Sequence, residues 1–304
     1  MLECRVMFQR QLTRREFLKA VGTLFSGAIL TPIQRAQPIT RASIHPTSES
    51  PNLSPYQSPV PALQSPSDLV TVRGDQFYYR GERFPIRGFN YYPRTHPWKT
   101  YNIGEWERGA IEYELRLGAS LGANVVRTFI DFNYSLDNAK SQQPIDNYYA
   151  PIERYLDNVR EFINVAAQFE LKVILTLLDS MDWSLYQPQN TWIVEEYLRA
   201  LVPLFANDPR ILCWDLQNEP DKAIREIGAA VVIPFFKLIS ALVRTLDPKH
   251  LQTIGWIDRA RATFYPDLSD LLDYWCFHFY DNASNLPALI HLWQDVETRL
   301  ASGI

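Results

Sequence analysis

The chain has 304 residues, 46% of them hydrophobic and 13% aromatic, so it can bury one large core, and a single soluble α/β domain of catalytic size is the expectation. The net charge is −4, but residues 1–36 hold six Lys/Arg against two Asp/Glu, which leaves −8 on the remaining 268. That balance argues against nucleic acid and anionic membrane surfaces as partners.

In chain order, a basic leader comes first. Arg14-Arg15 stand before Phe17-Leu18-Lys19 and a short apolar stretch, Ala20 to Leu30, whose eleven residues are too few to span a bilayer as a helix. A basic region followed by a short apolar one reads as an export signal, and Thr-Arg-Arg-Glu-Phe-Leu-Lys resembles the twin-arginine signal. The expected location is periplasmic or extracellular. No Ala-x-Ala follows the apolar run, so an uncleaved membrane anchor is the alternative. Residues 37–67 contain seven Pro and seven Ser, a composition that stays extended and builds no core. The folded domain is expected over 68–304.

It opens with a hairpin around Arg73-Gly74-Asp75 and Arg80-Gly81-Glu82, leading into a first buried strand, Phe84 to Asn90. Continuous apolar runs then recur at 124–130, 172–178, 211–217, 252–256 and 273–279, as parallel strands covered on both faces do. Between them the 3.6-residue period appears. It marks a helix from Pro151 through Phe169, another after Pro234 through Leu246, and a last one over Leu286 to Leu300. Six βα units with no Gly-x-Gly-x-x-Gly loop favour a TIM (β/α)8-type barrel over a doubly wound sheet. Residues 84–304 accommodate only about six of the eight units.

Barrel sites sit at the C-terminal ends of the strands. There the sequence places Asn90, Arg127, Asp179, Asn218, Glu219, His278 and Tyr280. Glu219 follows an apolar run, so one side of its carboxyl is expected to face a dry interior, and a proton donor working near neutral pH needs such a setting. A second reading is open, in which Glu219 caps the next helix. Arg127 as a structural ion pair and His278 as a core histidine are likewise open. Period-two alternation turns Cys213, Asp215, Cys276, His278 and Tyr280 to one face. Trp98, Trp183 and Trp256, each near a strand end, are candidate rings for stacking on sugar C–H faces. Trp214 and Trp275 have the opposite parity and are expected to pack against helices. Cys213 and Cys276 read as core thiols. No metal, disulfide or cofactor pattern is present.

The pieces "FPIRGFNYYP", "GANVVRTF", "LKVILTLLD", "WDLQNEP" and "CFHFYD" stand in this order between residues 84 and 281, and with them the chain resembles glycoside hydrolase family five, the cellulase and β-mannanase group of retaining (β/α)8 glycosidases. The resemblance implies double displacement on β-linked glucan or mannan. Glu219 would be acid/base, Asn218 would hold the sugar 2-hydroxyl, Arg127 would support the site, and His278 and Tyr280 would contact the substrate or the nucleophile. The family's nucleophile is a glutamate ending the seventh strand, and no seventh strand is found. Asp179, Asp182 and Asp281 are nearby acids, none at the matching position. Asp179 also stands where many relatives have histidine. Two functions follow: an exported glycosidase, or a carbohydrate-binding pseudoenzyme or fragment. Open barrel edges would favour self-association.

Overall fold

The computed structural model describes residues 68–136, 151–257, 268 and 271–278. The leader, the linker, Tyr280, Asp281 and the expected last helix lie outside the described residues.

The expected hairpin gains a third strand. β1 (Thr71–Arg73), β2 (Gln76–Tyr79) and β3 (Glu82–Arg83) form a small antiparallel sheet. Gly74 and Gly81 make its turns at φ +61° and +84°, a region open to glycine without steric cost. Phe84 still donates its N–H to Phe77 O at 2.8 Å, so it belongs to this sheet, and the first barrel strand is shorter than expected: β4 spans Gly88–Asn90.

From β4 the chain alternates: α1 (Arg108–Ser120), β5 (Val125–Asp131), a one-turn α2 (Phe132–Ser135), α3 (Glu153–Gln168), β6 (Lys172–Asp179), α4 (Thr191–Leu201), β7 (Ile211–Asn218), α5 (Asp221–Ile227), α6 (Ala229–Leu246), β8 (Leu251–Trp256) and β9 (Cys276–Phe277). β4 to β9 form one parallel sheet in sequential order. Sequential order is the winding of a (β/α) barrel, whereas a doubly wound sheet reverses at a switch point. This is the expected class, an arc of six barrel strands.

Tyr155, Leu156, Val159, Phe162, Ile163 and Ala166 bury one stripe of α3, as their spacing requires. Pro151 precedes the N-cap Ile152 and so stands just outside the helix. α6 departs from expectation by running through Pro234. A proline there forfeits one backbone bond, but burial of Val232, Ile233, Phe235 and Phe236 on either side keeps the turn helical. Trp214 faces outward, as its parity predicts, and donates Nε1–H to Asp247 Oδ2 (3.0 Å) at the end of α6.

The small sheet covers one end of this arc. Val70, Phe77 and Ile86 pack with Val125, Leu212 and Leu251, all at the N-terminal ends of their strands, and with Tyr274. The opposite, C-terminal end is left for chemistry.

Candidate active site

The strand ends are organised by one buried carboxylate. Asp215 Oδ2 accepts from Arg127 Nε (2.9 Å), from Arg127 Nη2 and from Thr176 Oγ1 (2.7 Å), while Oδ1 accepts from Gly255 N (3.1 Å). The donors come from β5, β6 and β8, so Asp215 ties four adjacent strands together. Burial alone would lower the pKa of Arg127, but the charge of Asp215 raises it, and the guanidinium stays ionised. Its Nη2 also donates to Asn218 Oδ1 at 3.2 Å. That contact fixes the amide plane and leaves the Asn218 NH₂ unspent on Arg127.

Arg127 reaches across because β8 has no side chain in its way. A Cβ built on Gly255 would stand 2.6 Å from Arg127 Nη2 and 2.7 Å from His278 Nε2. A glycine inside a strand often marks such a close approach, and that was the signal for Gly255 in "QTIGW". Gly255 facing inward also turns Trp256 outward. Trp256 is fully buried beside Trp275, ring centroids 6.2 Å apart, and offers no face to a sugar, which corrects the expectation that it lines the cleft. Parity counted from Gly255 would have excluded it.

After Asn218 the chain turns sharply. Glu219 has φ +53°, uncommon for a side chain with a Cβ, and its N–H donates to Gly255 O at 2.7 Å. Its carboxylate does not cap α5, whose N-cap is Pro220 without a side-chain bond. Instead Oε1 accepts from His278 Nδ1 at 2.8 Å, and Oε2 pairs with Lys222 Nζ at 2.6 Å. His278 follows β9 and donates its backbone N–H to Trp256 O at 2.6 Å. Burial opposes charge on its ring, but hydrogen bonds to Cys276 and Glu219 outweigh it and push its pKa up to about 9. At neutral pH the imidazolium therefore donates Nδ1–H to Glu219.

Beside Glu219 opens a cleft of about 240 Å³, lined among others by Trp98, Asp179, Trp183, Gln217 and Asn218. Trp98 and Trp183 are 58% and 44% exposed. Trp98 is braced by Tyr92 (centroids 4.2 Å), which stacks on Phe129 at 4.7 Å. Asp179 lines the cleft with its pKa pushed up to about 6, first by burial and then by the charge of Asp131, against the opposing pull of Arg127 and the Ser180 N–H. Asp182 instead accepts from Ser184 N at 2.8 Å and caps the turn Trp183–Tyr186. The structure thus brings Arg127, Asn218, Glu219, His278, Trp98 and Trp183 to one end of the sheet. Lys222 and Gln217 were missed. The i, i+3 spacing of Glu219 and Lys222 across a helix start was the readable sign of the first. Among the described residues no group of three or more His, Cys, Asp or Glu is arranged to hold a metal ion.

The profile of the family described as cellulase (glycosyl hydrolase family 5) matches residues 82–288. A mannan endo-1,4-beta-mannosidase of Arabidopsis thaliana is 23% identical, the match covering 64% of this chain and 50% of the relative. One of Oryza sativa subsp. japonica is 24% identical with the same two shares. The chain thus spans about half the length of these curated relatives. A solved family 5 mannosidase of Rhizomucor miehei, in complex with mannosyl-fructose, superposes with a TM-score of 0.57 at 17% identity, over 79% of this chain and 71% of that one. That likeness is one of fold.

Proposed function

The chain belongs to glycosyl hydrolase family 5, and on that premise we propose that it serves hydrolysis of β-1,4-linked mannan, with Glu219 as acid/base. The observation that carries this reading is the placement of Asn218 and Glu219 at the end of β7, braced by Arg127 and His278, beside a cleft with two exposed tryptophans. The mannosidase relatives favour mannan over glucan.

In this reading, the exposed rings of Trp98 and Trp183 stack on the glycan and Asn218 NH₂ meets a sugar hydroxyl. Glu219 passes to the leaving glycosidic oxygen the proton that the His278 imidazolium donates to its Oε1, once Lys222 has moved off Oε2. His278 and Lys222 orient its two oxygens, and Lys222, 56% exposed at its side chain, can swing away when sugar enters. Retention also requires a second carboxylate about 5 Å away to attack the anomeric carbon. Asp179 ends the third barrel strand, so the attacking group is assigned to a residue outside the described ones. The leader around Arg14-Arg15 supports export of the protein.

The test is release of reducing ends from β-1,4-mannan by the full chain and by Glu219→Gln. Loss of about 10³-fold or more is expected for an acid/base residue. Equal rates would remove Glu219 from the mechanism. A second reading has its own support, because the described cleft-lining carboxylates are Glu219 and Asp179 alone. It is binding without turnover, and saturable mannan binding with no product would select it.

A further inference from the structure

Two acceptors in the cleft have no part in the chemistry assigned to Glu219. Asp179 ends β6 beside Asp131 of β5, with which it is in register. It is followed by an ordered turn, in which Ser180 takes φ +57° and accepts from Asn133 Nδ2 at 2.6 Å through its carbonyl. Gln217 is 6% exposed and pairs with the Tyr186 hydroxyl, yet among the described residues its buried Oε1 has no hydrogen-bond partner. Leaving a buried acceptor unpaired costs about 1–3 kcal/mol, and turning the amide toward the cleft to meet a ligand's donor recovers it.

Both groups line the cleft between the exposed tryptophans, and both ask for donors. We propose that Asp179 and Gln217 form a hydroxyl-accepting subsite that takes an uncharged sugar of the β-linked chain and rejects glycans whose sugars carry carboxylates. The proposal rests on the glycosidase reading of the cleft. The charges facing Asp179 are Asp131 and Arg127 from β5 and Asp215 from β7, and the Glu219–Lys222 pair stands in the same cleft. Arg127 and Asp215 offset each other, Lys222 and the His278 imidazolium outweigh Glu219 by one positive charge, and Asp179 with Asp131 contributes two negative ones. Net negative charge therefore remains beside the subsite, and a uronate there meets repulsion in a partly dry setting.

The experiment compares binding of β-1,4-mannohexaose and of the β-1,4-mannuronate hexamer, which differs by a carboxylate at C6, to the full chain at pH 7.5 by titration calorimetry. The native chain should favour the neutral hexamer by about tenfold or more. Asp179→Asn should reduce that preference to about threefold or less, and Gln217→Met should weaken neutral binding by about tenfold while keeping the preference. Lowering the pH to 5 protonates Asp179 but not the uronate, so it should relax the preference of the native chain and leave that of Asp179→Asn unchanged. A merely structural role would not move with pH in this way. If the native chain discriminates and neither variant nor pH alters the discrimination, the subsite is refuted while the glycosidase reading stands. If the native chain binds neither hexamer, both fall. Matching urea midpoints for the variants separate these outcomes from misfolding.

Discussion

Replacing Asp215 by asparagine removes one charge and keeps the shape. The side chains of Arg127 and Asp215 are 4% and 0% exposed, so the substitution leaves a guanidinium buried without its counterion. Breaking a buried pair on one side typically costs about 3–5 kcal/mol. The amide oxygen that replaces the carboxylate still accepts from Thr176 or Gly255, which places the expectation toward the lower end. Against a total stability of about 5–15 kcal/mol, that is a large fraction. It corresponds to a fall of about 10 °C in Tm for a domain of this size. The assay is urea unfolding followed by tryptophan fluorescence, with Asp215→Leu, Arg127→Met and the double variant Arg127→Met/Asp215→Leu completing a cycle. The double variant should recover most of the loss, since apolar replacements leave no charge unpaired. A cost below about 1 kcal/mol for Asp215→Asn, or strictly additive single effects, would refute the claim that this pair organises the strand ends.

Protonated His278 supplies a pH signature. Its folded pKa of about 9 lies above the ordinary 6.5, so its stabilisation is fully present below about 6.5 and is lost as pH rises through about 9. The gap amounts to about 3 kcal/mol at most. Urea midpoints should fall between pH 6.5 and 9.5 and fall less in His278→Gln; a flat native profile would count against the charged ring. Gly255→Ala should cost about 1–3 kcal/mol by pushing Arg127 and His278 apart, and should weaken glycan binding, with native stability and affinity as the refuting result. Arg14→Lys with Arg15→Lys should retain the protein in the cytoplasm of a bacterial host, as cell fractionation would show; unimpaired export would dismiss the twin-arginine reading.

Much of the framework was legible because β5 to β8 are covered on both faces and so read as unbroken apolar runs. α1 was not, since Ile111 and Leu115 are its only buried residues and two mark no period. At the site, strand-end polarity pointed to Arg127, Asn218, Glu219 and His278, but their partners are set by tertiary contact. Nothing local links Gln217 to Tyr186, or Asp215 to Thr176, and no alternation rule announces the left-handed turn at Glu219. The bulge between Asp215 and Asn218 also breaks the period on which side-chain direction was counted.

The small sheet at the N-terminal end of the strands fixes which way the molecule faces. Asp68 enters the fold at that end, joined to Arg80 of the hairpin by a 3.2 Å hydrogen bond, while Glu219 and the two exposed tryptophans stand at the other. A chain held at residue 68 itself, as on a bead, would keep its cleft on the side away from the support.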